Sequence, residues 1–242
     1  MKRIKIIVSF VSFFFLSLSA YGQTFEEMKK VYPISINEGQ RVITGFQPFI
    51  NISDEQILAN AMKWSIKEFC KEARKDMYDV DVNKKTFSLD LMFEHSEGDK
   101  LKYVFICQLN IKIADGKLIY TVYDVGYKTP TLLSLSSVSS LSKLNPEKKQ
   151  KHKEIISTFQ ELVSKELNCM FDAVVENKCA TITHWNDINI QRPVKGMNED
   201  ECFLAFGNPN SKYEDSQGRT QWSYGLNFVL IFKEGHLETI IR

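Results

Sequence analysis

The stretch that decides the fold is 102–125, KYVFICQLNIKIADGKLIYTVYDV. Its first half places Tyr103, Phe105, Cys107, Leu109, Ile111 and Ile113 at every second position. That is the period of a strand with one buried face. Asp115-Gly116 follows, and a two-residue hairpin turn needs the positive φ that glycine takes without strain. The chain then returns over 118–125. An antiparallel hairpin with one apolar face must bury that face against something.

Upstream, Phe87, Leu89, Leu91 and Phe93 alternate with Ser88, Asp90, Met92 and Glu94, which predicts a third half-buried strand. A shorter strand is expected over 41–46. Between them, Ser53-Asp54-Glu55-Gln56 is a capping box in which the Gln reaches back to the cap. Leu58, Ala61, Met62, Phe69 and Ala73 then recur at helical spacing. Downstream, 129–143 is rich in Ser and Leu, holds Pro130, and reads as a loop. A long helix follows, with Asn145 as its cap and Pro146 at its first position. Ile155, Ile156, Phe159, Leu162, Val163, Leu167, Met170, Phe171 and Val174 form its apolar stripe. Lys148, Lys149, Lys151 and Lys153 lie in its first turns. A solvated face accounts for these lysines; an acidic partner is the alternative.

The remainder reads as a second, smaller domain beyond a junction near 177–183. Asn198-Glu199-Asp200-Glu201 is a capping box, Phe203 and Phe206 face inward, and Gly207 and Pro209 end the helix. Three strands are expected, near 220–224, 227–232 and 236–241. The fold class is therefore α+β: an antiparallel sheet with helices on one face, then a helix with a three-stranded antiparallel sheet. The expected divisions are 1–22, 24–177 and 180–242.

The division at 22 comes from the N-terminus. Lys2, Arg3 and Lys5 precede an apolar run over 6–18, and Ala20-Tyr21-Gly22 offers the small residues that a signal peptidase accepts. Cleavage is expected before Gln23, giving a periplasmic or secreted protein. No cysteine stands there for lipid attachment. The run is shorter than a bilayer requires, and no later segment is long and apolar enough to span one. The leader holds three of the 31 basic residues and no acid, so its removal leaves 28 against 30 acidic. So balanced a chain has no electrostatic footprint for nucleic acid.

Chemistry is harder to find. The sequence holds no Gly-rich phosphate loop, G-x-S-x-G, H-E-x-x-H or C-x-x-C. The five cysteines are Cys70, Cys107, Cys169, Cys179 and Cys202, an odd number. Cys70 and Cys107 read as buried thiols. Cys169 and Cys179 either bridge a helix end or stay apart, and spacing leaves both open. Cys169, Cys179, His184 and Cys202 are spaced too irregularly for a zinc site. Cys179 with His184 is the one pair that a nucleophilic hydrolase could use. His95, His152 and His236 read as surface positions. Asp79 and Asp81 are conceivable acid–base groups, and Asp90 sits on the polar side of its strand, where solvated acids belong. No catalytic, metal or cofactor residue is assigned, and no cofactor is expected.

One feature points to binding. Phe228, Leu230 and Phe232 take one face of the penultimate strand, and Val229 and Ile231 the other, with Trp222 and Tyr224 on the neighbouring strand. An apolar second face needs a cover: the first domain packed on it, a second copy, or a partner protein. Trp222, Tyr224, Val229 and Ile231 are the expected partner-binding residues, and the partner is another envelope protein or a second copy.

Two resemblances add to this. Gly196-Met197-Asn198-Glu199-Asp200-Glu201, Phe206-Gly207-Asn208-Pro209, Gln221-Trp222-Ser223-Tyr224 and Phe232-Lys233-Glu234-Gly235-His236-Leu237 resemble the small envelope domain of the SmpA/OmlA type, related to beta-lactamase inhibitory proteins. That resemblance implies two helices packed on a small antiparallel sheet, used for protein contact and not catalysis. Thr181 to Pro193, with Trp185, departs from the pattern by giving no clear first helix. From Arg41 to Tyr127 the chain is similar to domain of unknown function 4468, through the helix with Trp64, the Asp79-Val80-Asp81 stretch, and Phe105 to Tyr123 with its Asp-Gly turn. That similarity implies a fold like the TATA-binding protein, an exported location, and no assigned activity. The function expected on these grounds is a non-catalytic envelope protein that binds or scaffolds another protein. The alternatives are a hydrolase built on Cys179 and His184, and a small-molecule or lipid carrier.

Overall fold

The quoted stretch forms the centre of a seven-stranded antiparallel sheet. The computed structural model describes residues 30–70, 77–129, 138–176, 178–225 and 227–242, so the leader and its cleavage site lie outside the described residues. Strand β5 (Lys100–Ala114) pairs with β6 (Lys117–Lys128), and Asp115 and Gly116 take the expected positive φ at 53° and 69°. Before them come β1 (Ser35–Asn37), β2 (Gln40–Pro48), β3 (Met77–Asp81) and β4 (Thr86–Glu97). Their order across the sheet is β1-β2-β6-β5-β4-β3. Part of the expected loop is also sheet, since β7 (Ser139–Ser140) pairs with Gly126 and Tyr127 of β6. A 3-10 turn, Leu141–Lys143, follows it. Two serines carry no period, so β7 has no local signature.

Helices cover one face of this sheet. Helix α1 (Asp54–Phe69) is capped by Ser53, whose hydroxyl accepts from Gln56 N at 3.2 Å. The Gln56 amide does not reach back as the capping box predicts. Its Nε2 donates to Asn60 Oδ1 at 2.9 Å and to the Cys179 carbonyl at 3.3 Å, because tertiary acceptors lie closer than the exposed cap. The helix ends at Phe69, so the expected continuation to Ala73 falls outside the described residues. Helix α2 (Gln150–Glu176) buries Ile155, Phe159, Val163, Leu167, Met170, Phe171 and Val174 of the predicted stripe, while Ile156 and Leu162 at its margins are only partly buried. It starts later than expected. Asn145 Oδ1 accepts from Glu147 N and Lys148 N, closing a separate turn ahead of the helix.

The chain enters the larger domain at Tyr32, which is latched to α2. Tyr32 N donates to Ser164 Oγ at 3.0 Å, Tyr32 Oη to Asn168 Oδ1 at 2.9 Å, and Gln160 Nε2 to the Tyr32 carbonyl at 2.9 Å. Its ring meets Tyr120 and Phe171 edge-on, at 5.6 and 6.0 Å. Tyr32→Phe keeps the ring and removes one hydrogen bond. It is expected to cost about 1 kcal/mol, read as a melting temperature about 3 °C lower.

A smaller helix-and-sheet domain follows. Helix α3 (Trp185–Asn189) lies where no first helix was expected, and α4 (Glu199–Phe206) carries the predicted capping box, with Glu201 N to Asn198 Oδ1 at 2.9 Å and Asn198 N to Glu201 Oε2 at 2.8 Å. Strands β9 (Arg219–Ser223), β10 (Val229–Lys233) and β11 (His236–Ile241) match expectation within two residues. The sheet has four strands, however, because β8 (Ser211–Glu214) adds to the β9 edge. Ser-Lys-Tyr-Glu is exposed throughout, so it lacks the alternation that reveals a half-buried strand.

The two parts share one continuous core. The large sheet packs on α1 and α2, α1 packs on α4, and α4 packs on the small sheet, a stack of sheet, helices and sheet. Among the described residues no helix is long and apolar enough to cross a membrane.

Candidate interaction faces

Pairing registers assign every side chain of the small sheet to a side. Leu230 of β10 stands opposite Trp222 of β9, and Phe232 opposite Leu237 of β11 after a bulge. All four are buried. Trp222 is 2% exposed, its ring lies 4.8 Å from that of Phe232, and Lys212 Nζ sits 3.8 Å above it. Tyr224 also turns inward. Its hydroxyl donates to the Gly207 carbonyl at 3.0 Å, its ring packs on Phe206 and Phe228, and burial pushes its pKa up. Of the four expected partner-binding residues, Trp222 and Tyr224 thus sit on the core side, and Val229 and Ile231 on the outer side.

The outer side consists of two uncharged rows. One row runs Ser211, Ser223, Val229, Ile241; the next runs Tyr213, Gln221, Ile231, Thr239. Tyr213 is 65% exposed and Ile241 48%, while Val229 and Ile231 are half-buried. Arg219 and Lys233 begin a charged third row, where Arg219 Nε meets Asp215 Oδ2 at 2.8 Å. The face is therefore a small mixed patch and not the continuous apolar surface expected. Tyr213 and Ile241 also lie on this side, outside the expected set. A strand of exposed residues gives Tyr213 no signal, and Ile241 reads only as the end of a strand.

The large sheet also has an outer side, and it is mixed: Phe46 and Met92 are more than half exposed on it, beside polar rows. Thr44, Thr121, Asn110 and Ser88 form a row across four strands, with Asn110 Nδ2 donating to Ser88 Oγ at 3.0 Å. In the next row Gln108 Nε2 donates to Asp90 Oδ1 at 3.2 Å, beside Tyr123. Asp90 thus occupies the polar face that its alternation predicts. Asp81 caps the β3–β4 turn by accepting from Asn83 N and Lys84 N, both at 3.1 Å. Its pKa lies below the ordinary value, through Lys84 first. Asp79 takes a positive φ of 51° in the irregular edge strand β3. These acids do structural work in turns and edges.

The expected cysteine–histidine pair is taken up by the joint between the two domains. Asn60, 2% exposed on α1, donates through Nδ2 to the Val174 carbonyl at 2.7 Å and accepts Cys179 N at 3.1 Å. Asp200 of α4 accepts Ala180 N at 2.7 Å and pairs with Lys63 of α1 at 2.6 Å. Glu201, 1% exposed, accepts from the Thr183 and His184 backbones, and its Oε2 lies 2.9 Å from His184 Nδ1. Burial pushes the Cys179 thiol up to about 12 and Asp200 adds to this, the opposite of what a thiolate nucleophile requires. Cys179 and His184 are therefore engaged separately, each by a helix of a different domain. No disulfide joins any of the five cysteines. Cys169 is exposed on α2 while Cys179 is buried against α1, which keeps them apart. Among the described residues no group of three or more His, Cys, Asp or Glu side chains is arranged to hold a metal ion.

No family model matches the chain, and no curated protein does. Among solved structures it is similar to a TBP-like protein from Parabacteroides distasonis, with a TM-score of 0.51 and 15% identity over 62% of this chain and 100% of that one. A DUF4468 family protein from Bacteroides ovatus is similar at a TM-score of 0.44 and 14% identity, over 62% of this chain and 93% of that one. At such identity the first likeness is one of fold: over 62% of its length this chain folds as the TBP-like protein does.

Proposed function

We propose that the chain is an exported envelope protein that works by holding another protein and not by catalysis. The leader is cut before Gln23, and residues 24–177 and 180–242 act as two modules on one rigid joint. The observation that carries the binding role is the pair of uncharged rows across all four strands of the small sheet, with Tyr213 and Ile241 largely exposed. An aromatic ring and aliphatic side chains without a charge among them suit the dry centre of an interface. Serine, glutamine and threonine beside them supply a hydrogen-bonding rim. Trp222 and Tyr224 support this face from behind. The resemblance of the C-terminal part to the SmpA/OmlA type supports a contact role, and a short helix (α3) and a capped one (α4) precede the small sheet.

A photo-crosslinking amino acid placed at Ile231 in the native host is expected to give one discrete adduct with an envelope protein. The same probe at Lys84, on the far domain, is expected to give none. Ile231→Lys should abolish an adduct formed from Tyr213 while shifting the melting temperature by less than about 2 °C, as surface changes do. An adduct of twice the chain's mass assigns the face to a second copy, and no adduct from either position overturns the reading.

A further inference from the structure

We infer that the groove between the β5 end of the large sheet and the first turn of α2 binds a small anion carrying two or more carboxylate or phosphate groups. The groove is a cavity of about 520 Å³ whose walls include Lys100, Lys102, Thr129, Lys151 and Glu154. It shares Thr129 and Lys151 with a second cavity of about 220 Å³ that His152 also lines. The larger volume falls within the range of small-molecule sites, roughly 300–1,000 Å³.

Charge decides the class of ligand. Three lysines (Lys100, Lys102, Lys151) and two glutamates (Glu97, Glu154) line the groove, a net charge of +1, and Lys102 bridges both glutamates, at 2.9 Å from Glu97 Oε2 and 2.8 Å from Glu154 Oε1. Glu154 also accepts from Tyr103 Oη at 3.1 Å. Lys100, on β5, and Lys151, on α2, form no ion pair among the described residues, although the charge of Lys151 also acts on Glu154. The Thr129 hydroxyl has no hydrogen-bond partner among the described residues. His152 Nδ1 is engaged by the Asn145 backbone, 3.0 Å from its nitrogen and 3.2 Å from its carbonyl oxygen. Among the described residues the polar groups still open are two ammonium groups and the Thr129 hydroxyl, while both carboxylates are bridged by Lys102. Lys148, Lys149 and Lys153 raise the local positive potential further. Such a site attracts anions, and cations on two walls favour a ligand with two separated charges. This site is remote from the small sheet, so it stands or falls independently of the proposed protein contact.

The test is a titration of the purified protein with citrate and with pyrophosphate, followed by amide NMR shifts and run against sodium chloride at matched ionic strength. Saturable shifts at Lys100, Thr129 and Lys151 are expected for at least one of the two anions. Lys100→Gln with Lys151→Gln should weaken binding at least about tenfold, with an unchanged melting curve because neither side chain is paired. Lys151→Arg should retain it, and Lys84→Gln, on an exposed lysine elsewhere, should leave it intact. Shifts that follow ionic strength alone, or equal affinity in the double variant, overturn the site. Binding of a glutamate-rich peptide but of neither small anion also overturns it, and assigns the lysines to a protein partner.

Discussion

Glu201→Ala is expected to lower the stability of the whole chain by about 3 kcal/mol, read as a melting temperature roughly 9 °C lower at neutral pH. The carboxylate is buried and serves two masters. Its Oε2 closes the capping box of α4 by accepting Asn198 N at 2.8 Å, and its Oε1 accepts His184 N at 2.9 Å, Thr183 Oγ1 at 3.0 Å and Thr183 N. Alanine leaves three backbone N–H groups without their acceptor at the seam between the domains. Hydrogen bonds to an ionised group are worth more than neutral ones, and an orphaned buried donor costs the full desolvation.

The same carboxylate predicts a pH dependence. Burial alone raises its pKa, but the bonds from Thr183, Asn198 and His184 outweigh burial and hold it below the ordinary carboxylate value. A folded-state pKa below the unfolded one means that the unfolded chain binds the proton more readily. The stabilisation is therefore complete above about pH 4.5 and is lost as pH falls through the lower folded value. Asp54, held down first by Gly116 N, and Glu55, held down first by Lys85, act in the same direction. Glu201→Gln should flatten the fall of stability between about pH 4.5 and pH 3 without abolishing it. Thermal melts across that range check this, and a slope parallel to that of the unaltered protein would contradict the role assigned to Glu201.

Asn60→Ala carries the second large effect, a loss of about 2.5 kcal/mol. One amide satisfies both ends of the crossing chain: Nδ2 gives a hydrogen to the Val174 carbonyl near the end of α2, and Oδ1 takes one from Cys179 N just beyond it. Alanine removes both partners in a place that water does not reach. Asn60→Asp keeps the acceptor for Cys179 but sets a carboxylate against the Val174 carbonyl, so it should be at least as damaging. In urea the midpoint should fall while the transition stays single, because one core runs through both domains. A second transition on unfolding would show that the domains come apart first. Hydrogen exchange at the Cys179 amide should accelerate in the alanine variant.

These two residues mark where local pattern stops being informative. Glu201 is recognisable in the sequence as a capping-box residue, and the structure confirms that role. Nothing around it reveals the second role, because Thr183 and His184 lie 18 and 17 positions away on an irregular segment. Asn60 reads as a polar residue in an amphipathic helix, and its partners stand 114 and 119 positions away. The same distinction governs the candidate faces. Alternation placed Val229 and Ile231 on the side opposite Leu230 and Phe232. It could not say whether Trp222 shared their side, since that depends on how β9 is registered against β10. The groove on α2 was visible only as a run of lysines. That Glu97 and Glu154 would be used up by Lys102, leaving Lys100 and Lys151 open, is a matter of which strand end meets which helix.

By itself, then, the sequence determined the hairpin at Asp115-Gly116, the alternation that gives the large sheet one buried face, the helix starts at Ser53 and Asn198, and the α+β class. Each of these follows from side chains two to four positions apart, where backbone geometry alone decides who are neighbours. The tertiary structure decided the fourth strand of the small sheet, the inward turn of Trp222, the buried joint at Asn60 and Glu201, and the cationic groove. Those depend on contacts between segments far apart in the chain, and such contacts exist only once the helices have been packed between the two sheets.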